Sequence, residues 1–92
     1  MPRYLIEVAH ASNKEACDQA INVFKTTGSH FLTNTDWGCL DDVHKAWIIV
    51  DLDSKEEALL IVPPSFRQKT EIITLEKFAL DTIKKSLKHH KA

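Results

Sequence analysis

Glycine and proline are scarce in this chain, two and three of its 92 residues, which leaves no composition for a flexible linker, a proline-rich spacer or a low-complexity tract. Two cysteines, Cys17 and Cys39, are too few for a disulfide framework. Neither sign of charge predominates: 12 Lys and Arg stand against 13 Asp and Glu, a formal net charge of -1. Bulk electrostatics therefore gives no reason to expect nucleic acid or an anionic membrane as partner. No apolar run is long enough to span a bilayer, and the N-terminus runs straight into a strand pattern without a basic stretch leading into an apolar one. A cytoplasmic location is the expectation.

What remains is a globular composition, 43% hydrophobic and 27% charged, in a length that forms one core. A chain this small leaves roughly a third or more of its unfolded-state surface exposed. Packing against a second copy is an easy route to further burial.

Periodicity sets the elements. Residues 3–9 alternate as a first strand, with Tyr4, Ile6 and Val8 on one face and Leu5, Glu7 and Ala9 on the other. Ser12 followed by Glu15 reads as a capping box opening a helix whose apolar arc holds Ala16, Cys17, Ala20, Ile21, Val23 and Phe24, and Gly28 can end it. Residues 29–37 alternate loosely as a second strand, 38–42 are turn residues, and 45–52 give the strongest strand signal. Ser54 and Glu57 form another capping box before a short helix stopped by Pro63-Pro64. A fourth strand spans 71–78, and 81–91 reads as a C-terminal helix with Leu80, Ile83 and Leu87 opposite several lysines.

The order strand, helix, strand, strand, helix, strand predicts an α+β fold, the ferredoxin-like βαββαβ plait, with an antiparallel sheet and two helices on one face. Residues 1–78 make that domain and 79–92 a basic helical tail. The third strand is apolar on both faces, Ala46, Ile48, Val50 and Leu52 on one side and Trp47 and Ile49 on the other. A half-exposed strand should instead alternate with polar residues. A homodimer packed sheet to sheet answers this; the C-terminal helix lying over the face is the competing cover.

The stretch from Trp47 through Ser54-Lys55-Glu56-Glu57-Ala58-Leu59, then Pro63-Pro64 and the Ile72-Ile73 strand, resembles the second half of small dimeric α+β barrel proteins. Muconolactone isomerase and a family of ferredoxin-like nickel-binding proteins are among them. That resemblance implies a dimeric barrel and a cofactor-free isomerase, a monooxygenase or a metal binder. The nickel binders are similar in size and in carrying several histidines, but no ligand of theirs aligns residue by residue.

In a plait the end of the first strand, the start of the third, the end of the second and the start of the fourth meet at one edge. His10, His44, the group Asp36, Trp37 and Cys39, and the loop carrying Phe66 and Arg67 converge there. The first helix starts there too, and its free N–H groups around Ser12 and Asn13 favour an anion. His30 falls at the opposite end. Taken singly, each residue has a plainer reading: a solvated or backbone-bonded histidine, turn aspartates at Asp41-Asp42, core tryptophans at Trp37 and Trp47, a surface-paired Arg67, a frayed tail at His89-His90.

Two functions follow from the convergence. In the first, His10, Asp36, Cys39 and His44 hold a divalent transition metal, nickel, zinc or copper. In the second, His10 or His44 is the proton-transferring catalytic group of a cofactor-free enzyme, and Trp37, Phe66 and Arg67 bind a small carboxylic acid. Cys17 is expected to be a buried, slowly reacting small hydrophobe and Cys39 an exposed, fast-reacting thiol, with no disulfide between them.

Overall fold

The computed structural model describes residues 1–27 and 29–78. The C-terminal helix expected over 81–91, and the role of Gly28 in ending the first helix, lie outside the described residues. Strand β1 (Arg3–Ala9) leads into helix α1 (Lys14–Thr27), a one-turn helix α2 (His30–Thr33) and a two-residue strand β2 (Asp36–Trp37). A 3-10 turn at Cys39–Asp41 connects to β3 (Lys45–Asp51), followed by helix α3 (Lys55–Ile61), a 3-10 segment at Pro64–Lys69 and β4 (Thr70–Leu75). The fold is α+β, and the four strands form one antiparallel sheet in the order β2-β3-β1-β4.

Alternation decides the faces. Tyr4, Ile6 and Val8 of β1 and Ala46, Ile48 and Val50 of β3 are buried and share one core with Phe24 of α1, Leu32 of α2, and Ala58 and Val62 at α3. The helices therefore cover that face. On the other face the pairing aligns Ile49, Leu5 and Ile73 in a row across β3, β1 and β4, with Ile49 63% and Ile73 41% exposed. Glu7 occupies the next row, its carboxylate accepting from the Trp47 indole at 3.0 Å and facing Lys45 at 3.6 Å.

Three local expectations are corrected. Residues 29–35 do not extend as a strand, because Thr33, Asn34 and Thr35 bond their side chains back to the carbonyls of His30 and Leu32. Those bonds hold a helical turn in place of a sheet ladder, and β2 shrinks to Asp36–Trp37. Helix α1 is capped by Asn13, whose Oδ1 accepts from the Ala16 N–H at 2.8 Å, one residue beyond Ser12. The fourth strand covers Thr70–Leu75, ending short of Phe78. The second cap is as read: Ser54 Oγ accepts from the Glu57 N–H at 3.2 Å, and Glu57 returns a bond to the Asp53 N–H at 3.1 Å.

Candidate metal centre

His10 and His44 are a cross-strand pair. They lie one step beyond the Ala9–Lys45 pairing of β1 and β3, and the His10 N–H donates to the His44 carbonyl at 3.1 Å. Both continue the even-numbered, helix-covered face of their strands, so their rings meet edge to face with centroids 5.6 Å apart. The start of α1 sits over this end of the sheet and delivers Cys17 from its first turn, while the 3-10 turn after β2 brings Cys39 from the other side. His10 Nε2 lies 3.1 Å from Cys17 Sγ and 3.3 Å from Cys39 Sγ. One donor atom from each of His10, Cys17, Cys39 and His44 falls within 4.8 Å of all the others.

The two cysteines are joined as a disulfide, which corrects the expectation of separate thiols. Their Cα atoms are 7.0 Å apart, just beyond the roughly 4.4–6.8 Å that disulfides usually span. Cys17 lies on the buried arc of α1, 6% exposed, as the periodicity predicts, but that arc faces the site. The cue available in the sequence was its position: four residues after the helix cap, it must sit at the same sheet end as His10.

The two rings differ in what their nitrogens meet. His44 Nε2 is 2.7 Å from Asp42 Oδ1, while its Nδ1 is buried without a hydrogen-bond partner among the described residues. In the neutral ring with the Nε2 proton donated to Asp42, the buried Nδ1 carries a lone pair. Asp42 adopts φ 59°, a left-handed conformation that aspartate tolerates better than most residues, and this turns the chain so that its carboxylate reaches back to His44. His10 is buried, and its pKa is lowered first by that burial and then by repulsion from the protonated form of His44 and from the Lys69 ammonium. It thus stays neutral, with a lone pair to give, to lower pH than an exposed histidine.

Gly38 makes the turn possible. A Cβ there would lie 2.7 Å from the Trp47 ring and 2.7 Å from the Val43 carbonyl oxygen, and the Gly38 carbonyl accepts from both the Asp41 and the Val43 N–H.

The structure brings together three of the four metal ligands expected from the sequence and replaces the fourth. Asp36 is paired with Trp47, so it belongs to the open face of the sheet, whereas its neighbour Trp37 points to the helix side and packs on Phe24. Because successive strand residues face opposite ways, the Asp36 carboxylate is directed away from the cluster, and Cys17 takes its place. Of the residues expected to bind a carboxylic acid, Trp37 lines a cavity of about 510 Å³ with Lys14, Ile21, Lys25, Cys39 and His44. Phe66 packs edge-on against Phe24, and Arg67 donates to the Val62 and Leu60 carbonyls at the end of α3. His30 is exposed on α2, outside the cluster.

Compared with protein-family models, with curated proteins and with solved structures, the chain finds no match in any of the three. The His-Cys-Cys-His cluster is therefore the ground for a functional reading, and its donor set is one that can hold a metal ion.

Proposed function

We propose that this is a metal-binding protein built on a ferredoxin-like plait, which in its reduced form takes one divalent transition-metal ion at His10, Cys17, Cys39 and His44. The observation that carries the reading is the convergence of two imidazoles and two sulfurs within 4.8 Å of one another. An S₂N₂ donor set suits tetrahedral zinc, with nickel and copper as competitors for the same ligands. The orphaned His44 Nδ1 supports it, since a buried lone pair without a donor is what a metal ion satisfies. So does Asp42: a carboxylate behind a ligating histidine fixes the tautomer and the orientation of the ring.

Two thiolates on a tetrahedral zinc stand about 3.8 Å apart, given Zn–S bonds of about 2.3 Å. Metal binding thus requires the Cys17–Cys39 bond to be open, as a reducing cytoplasm would keep it. In the assembly proposed with this site, the exposed Ile49–Leu5–Ile73 row packs against a second copy.

The test is a titration of reduced, metal-free protein with zinc, nickel and copper, in a His89→Ala/His90→Ala background that removes the tail imidazoles. One ion per chain should bind, and His10→Ala, Cys39→Ala and His44→Ala should each weaken it about tenfold or more. Affinity should also fall as the solution is acidified, because thiolate and imidazole lone pairs are lost to protons. Absence of binding to the reduced protein, or binding unchanged in all three variants, would falsify the reading.

A further inference from the structure

The cavity beside the cluster has a use that a closed four-ligand metal site does not need. Its volume, about 510 Å³, is of the size that accepts a small molecule, and both Cys17 and Cys39 form part of its wall. The two sulfurs are unequal. Cys17 is buried in the first turn of α1, while Cys39 is half-exposed at the start of the 3-10 turn. His10 Nε2 stands within 3.3 Å of both, nearer to Cys17 at 3.1 Å. Along α1 the same wall carries Lys14, Asp18 and Lys25, two ammonium groups against one carboxylate.

We infer that the Cys17–Cys39 pair performs thiol–disulfide exchange with a small anionic thiol entering this cavity, and that Cys39 is the sulfur attacked. The thiolate of the entering molecule forms a bond to Cys39 Sγ, the Cys39–Cys17 bond breaks, and its electron pair leaves on Cys17 Sγ. The departing thiolate appears next to His10 Nε2, which donates a hydrogen bond to it. A second thiolate then attacks the entering molecule's sulfur in the mixed disulfide. It leaves Cys39 as a thiolate and releases the small molecule as its own disulfide, so two thiols have been oxidised and one protein disulfide reduced. The exchange frees both protein sulfurs for the metal, which is where this inference rests on the proposed function. The exchange itself proceeds without metal and is measured in chelator.

Oxidised, metal-free protein is mixed with excess glutathione in chelator, quenched with iodoacetamide after short times and mapped by peptide mass spectrometry. Glutathione should appear on Cys39 and the alkyl group on Cys17. The reduction rate with mercaptopropionate relative to cysteamine, each normalised to the same thiol acting on urea-unfolded protein, should favour the anion about fivefold at low salt. Lys25→Glu, an exposed change, should remove most of that preference. Glutathione on Cys17, on both cysteines equally, or on neither under conditions that reduce the unfolded chain, overturns the assignment. So does a charge preference that Lys25→Glu leaves intact. If exchange occurs as described and the reduced protein binds no metal, the metal reading fails and this one stands. If metal binds but the disulfide never exchanges at Cys39, the reverse holds.

Discussion

At the residue scale, one side chain outside the proposed ligand set, Asp42, and one inside it, His10, each carry a prediction. Asp42 is almost fully exposed, yet its carboxylate is the group that sets the proton on His44 Nε2 and frees Nδ1. Asp42→Asn should leave the chain folded and lower the zinc affinity of the reduced protein about tenfold, read by competition with a chromophoric chelator. His10 makes the opposite kind of prediction, about stability. Burial holds its pKa below the ordinary 6.5, so on acidification the unfolded chain takes up this proton before the folded one does. The contribution of neutral His10 is fully present above pH 6.5 and is lost as pH falls through the depressed folded-state value. Urea midpoints of the metal-free protein should hold above that pH and drop below it, and the drop should shrink in His10→Gln.

At the element scale, the turn between β2 and β3 is the piece whose shape the site depends on. Gly38→Ala forces a methyl group against both the Trp47 ring and a backbone carbonyl, so either the ring leaves its bond to Glu7 or the turn carrying Cys39 shifts. Overpacking of this kind costs about 1–3 kcal/mol, measurable by urea denaturation, and should weaken metal binding by moving Cys39. The disulfide ties this turn to α1 across 22 residues. Closing a loop of that length should stabilise the oxidised, metal-free chain by about 3 kcal/mol over the reduced one, through the entropy removed from the unfolded state. Equal midpoints with and without reductant would show that the reduced chain recovers that energy elsewhere. The short α2 carries a related lesson: Thr33, Asn34 and Thr35 look acceptable in a strand, but their hydroxyl and amide groups favour carbonyls one turn back.

At the scale of the whole molecule, the face of the sheet opposite the helices carries exposed apolar side chains. Ile49, Leu5 and Ile73 form an apolar row flanked by Arg3–Asp51 on one side and Glu7 with Trp47 and Lys45 on the other. Protein interfaces commonly have an apolar centre within a polar rim, which supports the proposed dimer. Light scattering on a sizing column should give a dimer mass at micromolar concentration. Ile49→Lys, which places a charge in the row, should give a monomer that retains the His-Cys-Cys-His cluster, because the cluster lies at the sheet end on the helix side. A monomer mass for the unaltered chain overturns this assembly. Among the described residues no helix is long and apolar enough to cross a membrane, so the row is not part of a helical span.

Periodicity determined β1, β3 and most of β4 and the buried faces of β1 and β3, because alternation is a consequence of local backbone geometry, and the assumed strand order then brought His10, Cys39 and His44 to one sheet end. It misread residues 29–35, whose side chains bond back to carbonyls one turn earlier. Only the tertiary structure decided that Cys17 belongs to the site and Asp36 does not. The position of Cys17 four residues after the cap puts it at the His10 end of the sheet, but whether its arc there covers core or cluster is decided by how the helix packs. Asp36 and Trp37 exchange faces with a single step of register, and that register is set by the pairing of β2 with β3. A ligand set is a property of distances between elements far apart in the chain, and those distances exist only once the helix has packed on the sheet.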